Sequence, residues 1–183
     1  MNLVVNTLAT AALAAGTLRF GSVRGRSIVA GIFAMAAASL LLVGTYVIFP
    51  RISTTPPAGE LILWLFFTAF LEELCKYVAV GPWRNGVSGG GLLRHAVGTG
   101  VGFATAEHTL FLLLPTGLFV QRILLTSPLH VLTAVLYTRP GPWLRHRTPG
   151  VAPAADVAIL LLATGVHGLY NFLLQGLDPF TAL

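Results

Sequence analysis

The sequence predicts an all-α fold, a polytopic membrane helical bundle of about six transmembrane helices. Hydrophobic residues make up 55% of the 183 residues and charged residues only 9%, and the mean hydropathy is +0.82. Soluble domains carry about 25% charged residues, so this chain has too few to cover a surface that faces water. Intrinsic disorder is excluded, because it requires low hydrophobicity and high charge. The apolar residues instead form long blocks, each near the ~20 residues that a helix needs to cross a bilayer.

Six apolar segments are expected to span the membrane. In order along the chain they are 2–18, 27–49, 60–80, 95–115, 118–138 and 154–175. A cleaved signal peptide would carry its positive charge before the apolar stretch. In the first segment the arginines follow that stretch, so we expect an uncleaved helix. Because no linker marks a second unit, residues 1–183 are expected to form a single integral membrane domain.

Basic residues lie mostly in the loops between these segments and predict the orientation. The first, third and fifth loops hold Arg19, Arg24, Arg26, Arg84, Arg94, Arg139, Arg145 and Arg147. Cytoplasmic loops carry an excess of Lys and Arg, so both the N- and C-termini are predicted to be extracytoplasmic. His95, beside the third loop, is assigned to the lipid headgroup level. The net charge of +5 does not indicate a nucleic-acid partner, since the basic residues form no clustered face.

Several ionisable residues fall inside the apolar segments, where charge is costly. They are Glu72, Glu73, Lys76, Glu107, His108, Arg122, His130 and His167. A charged side chain at the bilayer centre costs at least about 2.5–3.5 kcal/mol on insertion scales, so each is a candidate for a functional site. At ~1.5 Å per helical residue, the estimated distance from the cytoplasmic side is about 10 to 20 Å for Glu73, Glu107, His130 and His167. Helices three to six therefore bring carboxylates and imidazoles toward one layer.

Helical spacing leaves structural alternatives open for single residues. Lys76 follows Glu72 by four residues and Glu73 by three, so it shares a helix face with both. Such a pair alone is equally well a structural ion pair. Arg122 lies near the outer end of its helix, where it can simply snorkel to the interface. The coincidence of several such groups on four helices is what favours a site.

Two motifs and two later histidines resemble the PrsW family of intramembrane proteases. This family is related to the CAAX prenyl protease and bacteriocin-processing group of glutamate-dependent membrane proteases. Glu72-Glu73-Leu74-Cys75-Lys76 matches the family's Glu-Glu-x-x-Lys motif, and Gly102-Phe103-Ala104-Thr105-Ala106-Glu107 matches its Gly-Phe-Ala-x-x-Glu motif. His130 and His167-Gly168-Leu169-Tyr170-Asn171 match its late histidines and its His-x-x-x-Asn-like ending.

The resemblance covers residues 60–175 and marks them as a protease-like core built from helices three to six. Residues 1–49, two additional N-terminal spans, lie outside it. The family usually has Asn after the glutamate of the second motif, where this chain has His108. This residue either adds an imidazole to the site or removes an amide function. It lies about 100° around the helix from Glu107, so its side chain can face a different neighbour.

The resemblance implies an endopeptidase that hydrolyses a peptide bond of a membrane-anchored protein, such as an anti-sigma factor, with activated water. This reaction needs a base for the water, a proton donor for the leaving amine and stabilisation of the oxyanion. The expected catalytic residues are Glu72, Glu73, Glu107, His130 and His167, with Lys76, His108 and Asn171 in support. Either Glu72 or Glu73 is expected to be the base, and Glu107 to orient the water or share a proton with that base. The histidines and Asn171 are expected to stabilise the oxyanion.

A zinc site is the alternative to this reaction without a cofactor. Glu107, His130 and His167 would supply the ligands of a catalytic zinc with an open fourth position, and Glu73 would then be the base. The chain lacks the local His-Glu-x-x-His arrangement of many zinc proteases. Its one cysteine, Cys75, excludes both an internal disulfide and a thiolate-based metal site. We therefore expect no cofactor.

Two functions other than proteolysis use the same residues. Titratable groups inside a helical bundle also mark proton-coupled transporters. Six spans without a visible inverted repeat fit that class poorly. The other alternative is a catalytically inactive scaffold that binds a partner's transmembrane helix. The presence of both first-motif glutamates and of Glu107 favours the enzyme.

Overall fold

The computed structural model describes residues 2–19, 25–48, 58–81, 89–112, 116–138 and 151–177. Within these ranges the chain forms six α-helices and no strand, which confirms the predicted all-α bundle. The helices are α1 (Asn2–Arg19), α2 (Gly25–Ile48), α3 (Ala58–Val80), α4 (Gly89–Leu110), α5 (Thr116–Leu136) and α6 (Ala152–Leu177).

The fourth helix is the one whose predicted limits differ most from the structure. It begins at Gly89 rather than at residue 95 and ends at Leu110 rather than at residue 115. Its start includes a run of glycines, which in a sequence is typical of a loop. As a result His95 lies inside the helix, where it is buried in the bundle and not exposed to lipid headgroups. His95 contacts Ser27 Oγ at 2.8 Å and the Ala79 carbonyl at 3.1 Å.

The surface of the bundle is apolar and its interior contains many polar side chains. Leu40, Leu63 and Leu124 are among the large apolar residues that lie exposed, whereas Glu73 and Lys76 are fully buried. This distribution suits a protein surrounded by lipid rather than by water. In the described part of the chain, α2, α5 and α6 are long and apolar enough to cross a membrane, with stretches Gly25–Thr45, Thr116–Leu136 and Ala152–Leu174.

The helices pack in a definite order around the interior. α6 packs against α3, α3 against α2, α2 against α4 and α4 against α5, while α1 lies against α4 and α5. The two ends of this arc, α5 and α6, pack against each other much less extensively.

Glycines allow the closest helix contacts of the arc. A Cβ atom added to Gly102 of α4 would lie 2.0 Å from the Ile28 carbonyl oxygen of α2, and one added to Gly31 of α2 would lie 2.0 Å from the Thr99 carbonyl oxygen of α4. Small residues at such positions let two backbones approach closely, which drives helix association in membranes. At Gly100 an added Cβ would lie 2.6 Å from Val131 Cα, so α4 and α5 also approach closely.

Candidate active site

Glu73 and Lys76 of α3 form the buried centre of a polar cluster. Lys76 Nζ lies 2.5 Å from Glu73 Oε1, and the spacing of three residues places both side chains on one helix face. The same ammonium contacts His130 Nδ1 at 2.8 Å and Thr133 Oγ1 at 3.3 Å, both on α5. An ammonium group has three N–H donors, and these contacts use all of them. Lys76 therefore joins α3 to α5 at this depth.

The Glu73 carboxylate is bound on both of its oxygens. His167 Nδ1 of α6 lies 2.7 Å from Oε1, which also accepts from Lys76. The Tyr137 hydroxyl donates to Oε2 at 2.7 Å. A buried carboxylate is stable only if its charge is paired and its oxygens are hydrogen-bonded. Glu73 meets both conditions and acts as the anchor that joins α3 to α6.

The Glu107 carboxylate of α4 is bound in the same way by two residues of α5. Arg122 Nη2 donates to its Oε1 at 3.0 Å, and His130 Nε2 contacts its Oε2. Arg122 also stacks on Phe111, with its guanidinium carbon 3.9 Å from the ring centroid. The interpretation of Arg122 as a residue that snorkels to the interface is therefore wrong, because its charge is directed inward to a carboxylate.

The bonding partners of the two histidines assign their tautomers. His130 accepts from Lys76 on Nδ1, so its proton is on Nε2 and is donated to Glu107. His167 donates from Nδ1 to Glu73, which leaves a lone pair on its Nε2. The two rings meet edge to face across α5 and α6, with centroids 5.2 Å apart.

The remaining carboxylate, Glu72, differs from the other two. Its side chain is mostly buried, and its Oε2 has no hydrogen-bond partner among the described residues. The nearest imidazole nitrogen with a lone pair, His167 Nε2, lies 3.6 Å from this oxygen. The sequence left the choice between Glu72 and Glu73 open, and only Glu72 has a buried oxygen without a hydrogen-bond partner among the described residues.

The charges of this cluster do not balance. Its three carboxylates, Glu72, Glu73 and Glu107, face two permanent cations, Lys76 and Arg122, within the described part of the chain. An unpaired charge inside a membrane protein is expensive, so the excess negative charge favours a bound proton or a bound cation. Because Glu73 and Glu107 are already paired, the unpaired negative charge lies beside His167 at Glu72, the carboxylate that can accept a proton or bind a cation.

Two predicted supporting residues lie outside the contacts of this cluster. His108 is buried, but its Nε2 contacts Ser127 Oγ at 2.9 Å instead. Asn171 is half-buried, and no hydrogen bond of the described residues links it to the cluster. Tyr137 and Thr133, which contact Glu73 and Lys76, were not predicted. Tyr137 follows His130 by seven residues, close to two helical turns, and this spacing was the available signal.

Three side chains of the cluster have the arrangement of a metal site. One ligand atom each from Glu72, His130 and His167 lies within 4.8 Å of the others. Two imidazole nitrogens and one carboxylate oxygen form a common ligand set for catalytic zinc, and a carboxylate on the other nitrogen of a ligating histidine, as Glu73 is for His167, is typical of such sites. The residues therefore fit zinc. The set contains Glu72 in place of the expected Glu107, whose oxygens are bound to Arg122 and His130.

Comparison with known proteins decides the family. A model of the PrsW family intramembrane metalloproteases matches residues 11–182. The chain belongs to the PrsW family. The match covers nearly the whole chain, and it includes α2 and the second half of α1, which the motifs left outside the protease-like core. No curated protein and no solved structure matches the chain significantly.

Membership of the PrsW family gives the cluster its chemical context. The protein is an integral membrane protein and an intramembrane protease, and its substrate is a protein in the membrane. Neither the scaffold nor the transporter alternative receives support from these findings.

Proposed function

We propose that this PrsW-family protein is an endopeptidase that cleaves a membrane-anchored protein, with Glu72 as the base that activates water. The supporting observation is the buried Glu72 Oε2, which has no hydrogen-bond partner among the described residues and lies 3.6 Å from His167 Nε2. This separation is too long for a direct hydrogen bond and suits a water that donates to both atoms. We do not assign this role to Glu73, because both its oxygens already accept hydrogen bonds.

The proposed reaction moves one proton through Glu72. The carboxylate takes a proton from water while the water oxygen bonds to the scissile carbonyl carbon, and the carbonyl electron pair moves onto its oxygen. When this oxyanion collapses, the carbon–nitrogen bond breaks and Glu72 delivers the same proton to the leaving nitrogen. The products are a carboxylic acid and an amine, with no covalent bond to the enzyme. A base and acid in this position typically contribute about 10²- to 10⁴-fold to the rate.

The two histidines have different tasks in this proposal. His167 Nε2 accepts the second hydrogen of the water, and the Glu73 carboxylate holds the ring in the tautomer that this requires. His130 Nε2–H donates a hydrogen bond to Glu107 in the structure. When a substrate enters, the same N–H donates to the carbonyl oxygen of the substrate instead. A hydrogen-bond donor of this kind stabilises the transition state most when it faces the atom on which charge develops, in a site without bulk water.

Identification of new protein N-termini tests the proposed activity. Membranes from cells that express the wild-type protein should contain new N-termini of membrane proteins, and these should be absent with Glu72→Gln. Glu60→Gln, on the same helix but about three turns away, is the matched control and should behave as wild type. Undiminished cleavage by Glu72→Gln, at equal protein levels, would exclude Glu72 as the base.

Zinc is the second candidate, and the family description together with the ligand geometry favours it. Glu72, His130 and His167 would hold the ion, and a zinc ion in such a site polarises a carbonyl and activates water. In that arrangement His130 would release Glu107 and carry its ring proton on Nδ1, in place of the bond that this nitrogen accepts from Lys76, and the released Glu107 Oε2 would be the base. Glu73, the base expected from the sequence in a zinc mechanism, keeps its anchoring bonds.

Metal analysis separates the two mechanisms. If Glu72 is the base, the purified protein should contain much less than one zinc per chain, and cleavage should persist with a zinc chelator. Stoichiometric zinc that is lost in both His167→Ala and Glu72→Gln would instead assign Glu72 as a ligand. Since this measurement reads metal content directly, it does not depend on a known substrate.

We also propose the finer points of topology. Both termini are placed on the extracytoplasmic side by the distribution of arginines, and residues 1–183 are taken as a single membrane domain. Accessibility of cysteines introduced near the termini, in the Cys75→Ser background, to a membrane-impermeant thiol reagent in intact cells tests the orientation. Labelling only after cell lysis would reverse it.

A further inference from the structure

We propose that a substrate segment reaches the polar cluster laterally between α5 and α6, and that the hydrogen bond between Thr126 and Tyr170 is the latch of this path. The proposal rests on the proposed function of the cluster, but its tests do not use cleavage. Thr126 Oγ1 of α5 and the Tyr170 hydroxyl of α6 lie 2.5 Å apart. We call the contact between α5 and α6 the seam.

Glycines allow close contacts between three of the other helix pairs around the cluster. Gly102 joins α4 to α2, and Gly100 joins α4 to α5, at distances that admit no Cβ atom. Gly168 of α6 faces Phe66 of α3, where an added Cβ would lie 2.6 Å from the ring. None of the described glycines makes such a contact across the seam. Among the helices that follow one another around the arc, the pair at the seam packs least, so α5 and α6 can separate there with the least loss of packing.

The seam is apolar at one end and polar at the other. Ala134 and Tyr137 of the α5 end pack in one core cluster with Ala163 of α6 and with Val80 of α3. Toward the start of α5 the helices are joined by side-chain contacts that include the Thr126–Tyr170 bond. Apolar packing holds the helices together at the Ala134 end. At the Thr126 end they are held by a hydrogen bond between two hydroxyl groups, each of which can form a hydrogen bond to another partner instead. Such a seam opens at the Thr126 end and pivots at the Ala134 end.

The latch lies one helical turn from both histidines of the cluster. Thr126 precedes His130 by four residues on α5, and Tyr170 follows His167 by three residues on α6. The two imidazoles also meet across the seam. Separation of the helices at Thr126 and Tyr170 therefore exposes the side of the cluster where the two proposed catalytic histidines lie.

The chemistry of the surface beside the seam specifies the occupant. Leu125 of α5 and Leu173 of α6, within one helical turn of Thr126 and Tyr170, are exposed apolar side chains. An apolar transmembrane segment can lie against these residues without loss of its lipid-like surroundings. Its backbone carbonyls and amides, once it unwinds, can replace the bond between the two latch hydroxyls. We therefore assign the path to a single transmembrane segment of a membrane protein rather than to a soluble peptide.

Distance measurements between spin labels test whether the latch holds the seam. Nitroxides are placed at Leu125 and Leu173 in the Cys75→Ser background, in lipid nanodiscs, and read by pulsed electron resonance. Loss of one hydrogen bond in Thr126→Val or Tyr170→Phe should raise a longer-distance population about fivefold. Matched controls are Thr109→Val, whose hydroxyl bonds only its own helix, and Tyr77→Phe, whose hydroxyl bonds Asp156. Both controls should leave the distribution unchanged.

Two outcomes would overturn the latch. Distributions that are identical in wild type, Thr126→Val and Tyr170→Phe would show that the hydroxyl pair does not hold the helices together. Equal broadening with Tyr77→Phe would show a general loosening instead of a latch. A second label pair at Leu63 of α3 and Leu169 of α6 reports on the glycine-fastened side and should not change in any variant.

Photo-crosslinking tests the occupant. A biotinylated synthetic single-span peptide of leucine and alanine with a central glycine pair is reconstituted with the protein. A benzophenone amino acid at Leu125 should capture this peptide about fivefold more in Tyr170→Phe than in wild type, in step with the open population. The same photoprobe at Leu63, on a lipid-facing side away from the seam, should show no such rise. Equal yields at both positions in all variants would refute the path.

Discussion

Glu72 and Glu73 are neighbours in the chain, yet their carboxylates have opposite surroundings. Glu73 accepts hydrogen bonds from Lys76, Tyr137 and His167, and both of its oxygens are occupied. Glu72 Oε2 is buried without such a partner among the described residues. One residue turns an α-helix by about 100°, which is enough to direct one carboxylate into a shell of donors and the other beside it. In this site, full hydrogen bonding marks an anchor, and an open oxygen marks a reactive group.

Of the substitutions around Glu73, removal of the buried Lys76 charge should cause the largest loss of stability. Lys76→Met leaves the Glu73 charge without its ion pair, and loss of one partner of a buried pair costs about 3–5 kcal/mol. Unfolding by SDS in mixed micelles should therefore shift to much lower detergent fractions. The double variant Lys76→Met with Glu73→Gln should recover part of this loss, since neither charge is then left alone. No recovery would mean that Lys76 does not act through Glu73.

A smaller loss of stability is expected when only one hydrogen-bond donor to Glu73 is removed. Tyr137→Phe deletes a hydrogen bond to a charged acceptor, which is worth about 1.5–3 kcal/mol. Tyr170→Phe is the control, because it deletes a bond between neutral hydroxyls worth about 0.5–1.5 kcal/mol. The same unfolding assay measures both. Equal losses in the two variants would argue that Glu73 is not charged in the folded protein.

The smallest effect is expected at the residue where the chain departs from the family pattern. His108 contacts Ser127 and not the carboxylates, so His108→Asn should leave cleavage within about threefold of wild type. Comparison of cleavage rates at matched protein levels is the measurement. A loss of a hundredfold or more would place His108 in the reaction and would weaken the division between anchored and open groups.

Much of the fold could be predicted because bilayer thickness fixes the length of an apolar helix. Five of the six described helices begin within two residues of the predicted positions. α4 was placed too late because its first turn is glycine-rich, and glycine in a sequence indicates a loop more often than a helix start. That shift also placed His95 inside α4, where it is buried and contacts Ser27 of α2.

The sequence predicted which residues form the candidate site but not which of them contact each other. The cost of intramembrane charge indicated Glu73, Lys76 and Glu107 without any knowledge of contacts. The partner of Arg122 could not be predicted, because a long side chain near a helix end reaches both the interface and the interior. The choice between Glu72 and Glu73 was open for a similar reason. Spacing places both near Lys76, and only the rotation of α3 against α5 and α6 decides which one the lysine binds.

Parallel measurement of cleavage and unfolding in Glu72→Gln and Glu73→Gln tests the central claim most directly. Glu72→Gln should lower cleavage by about 10²- to 10⁴-fold and leave the unfolding midpoint near wild type, because it removes the base and no anchoring bond. Glu73→Gln should shift the unfolding midpoint strongly, with cleavage lost in proportion to the folded protein. The reverse result, a stable but inactive Glu73→Gln beside an active Glu72→Gln, would contradict the account.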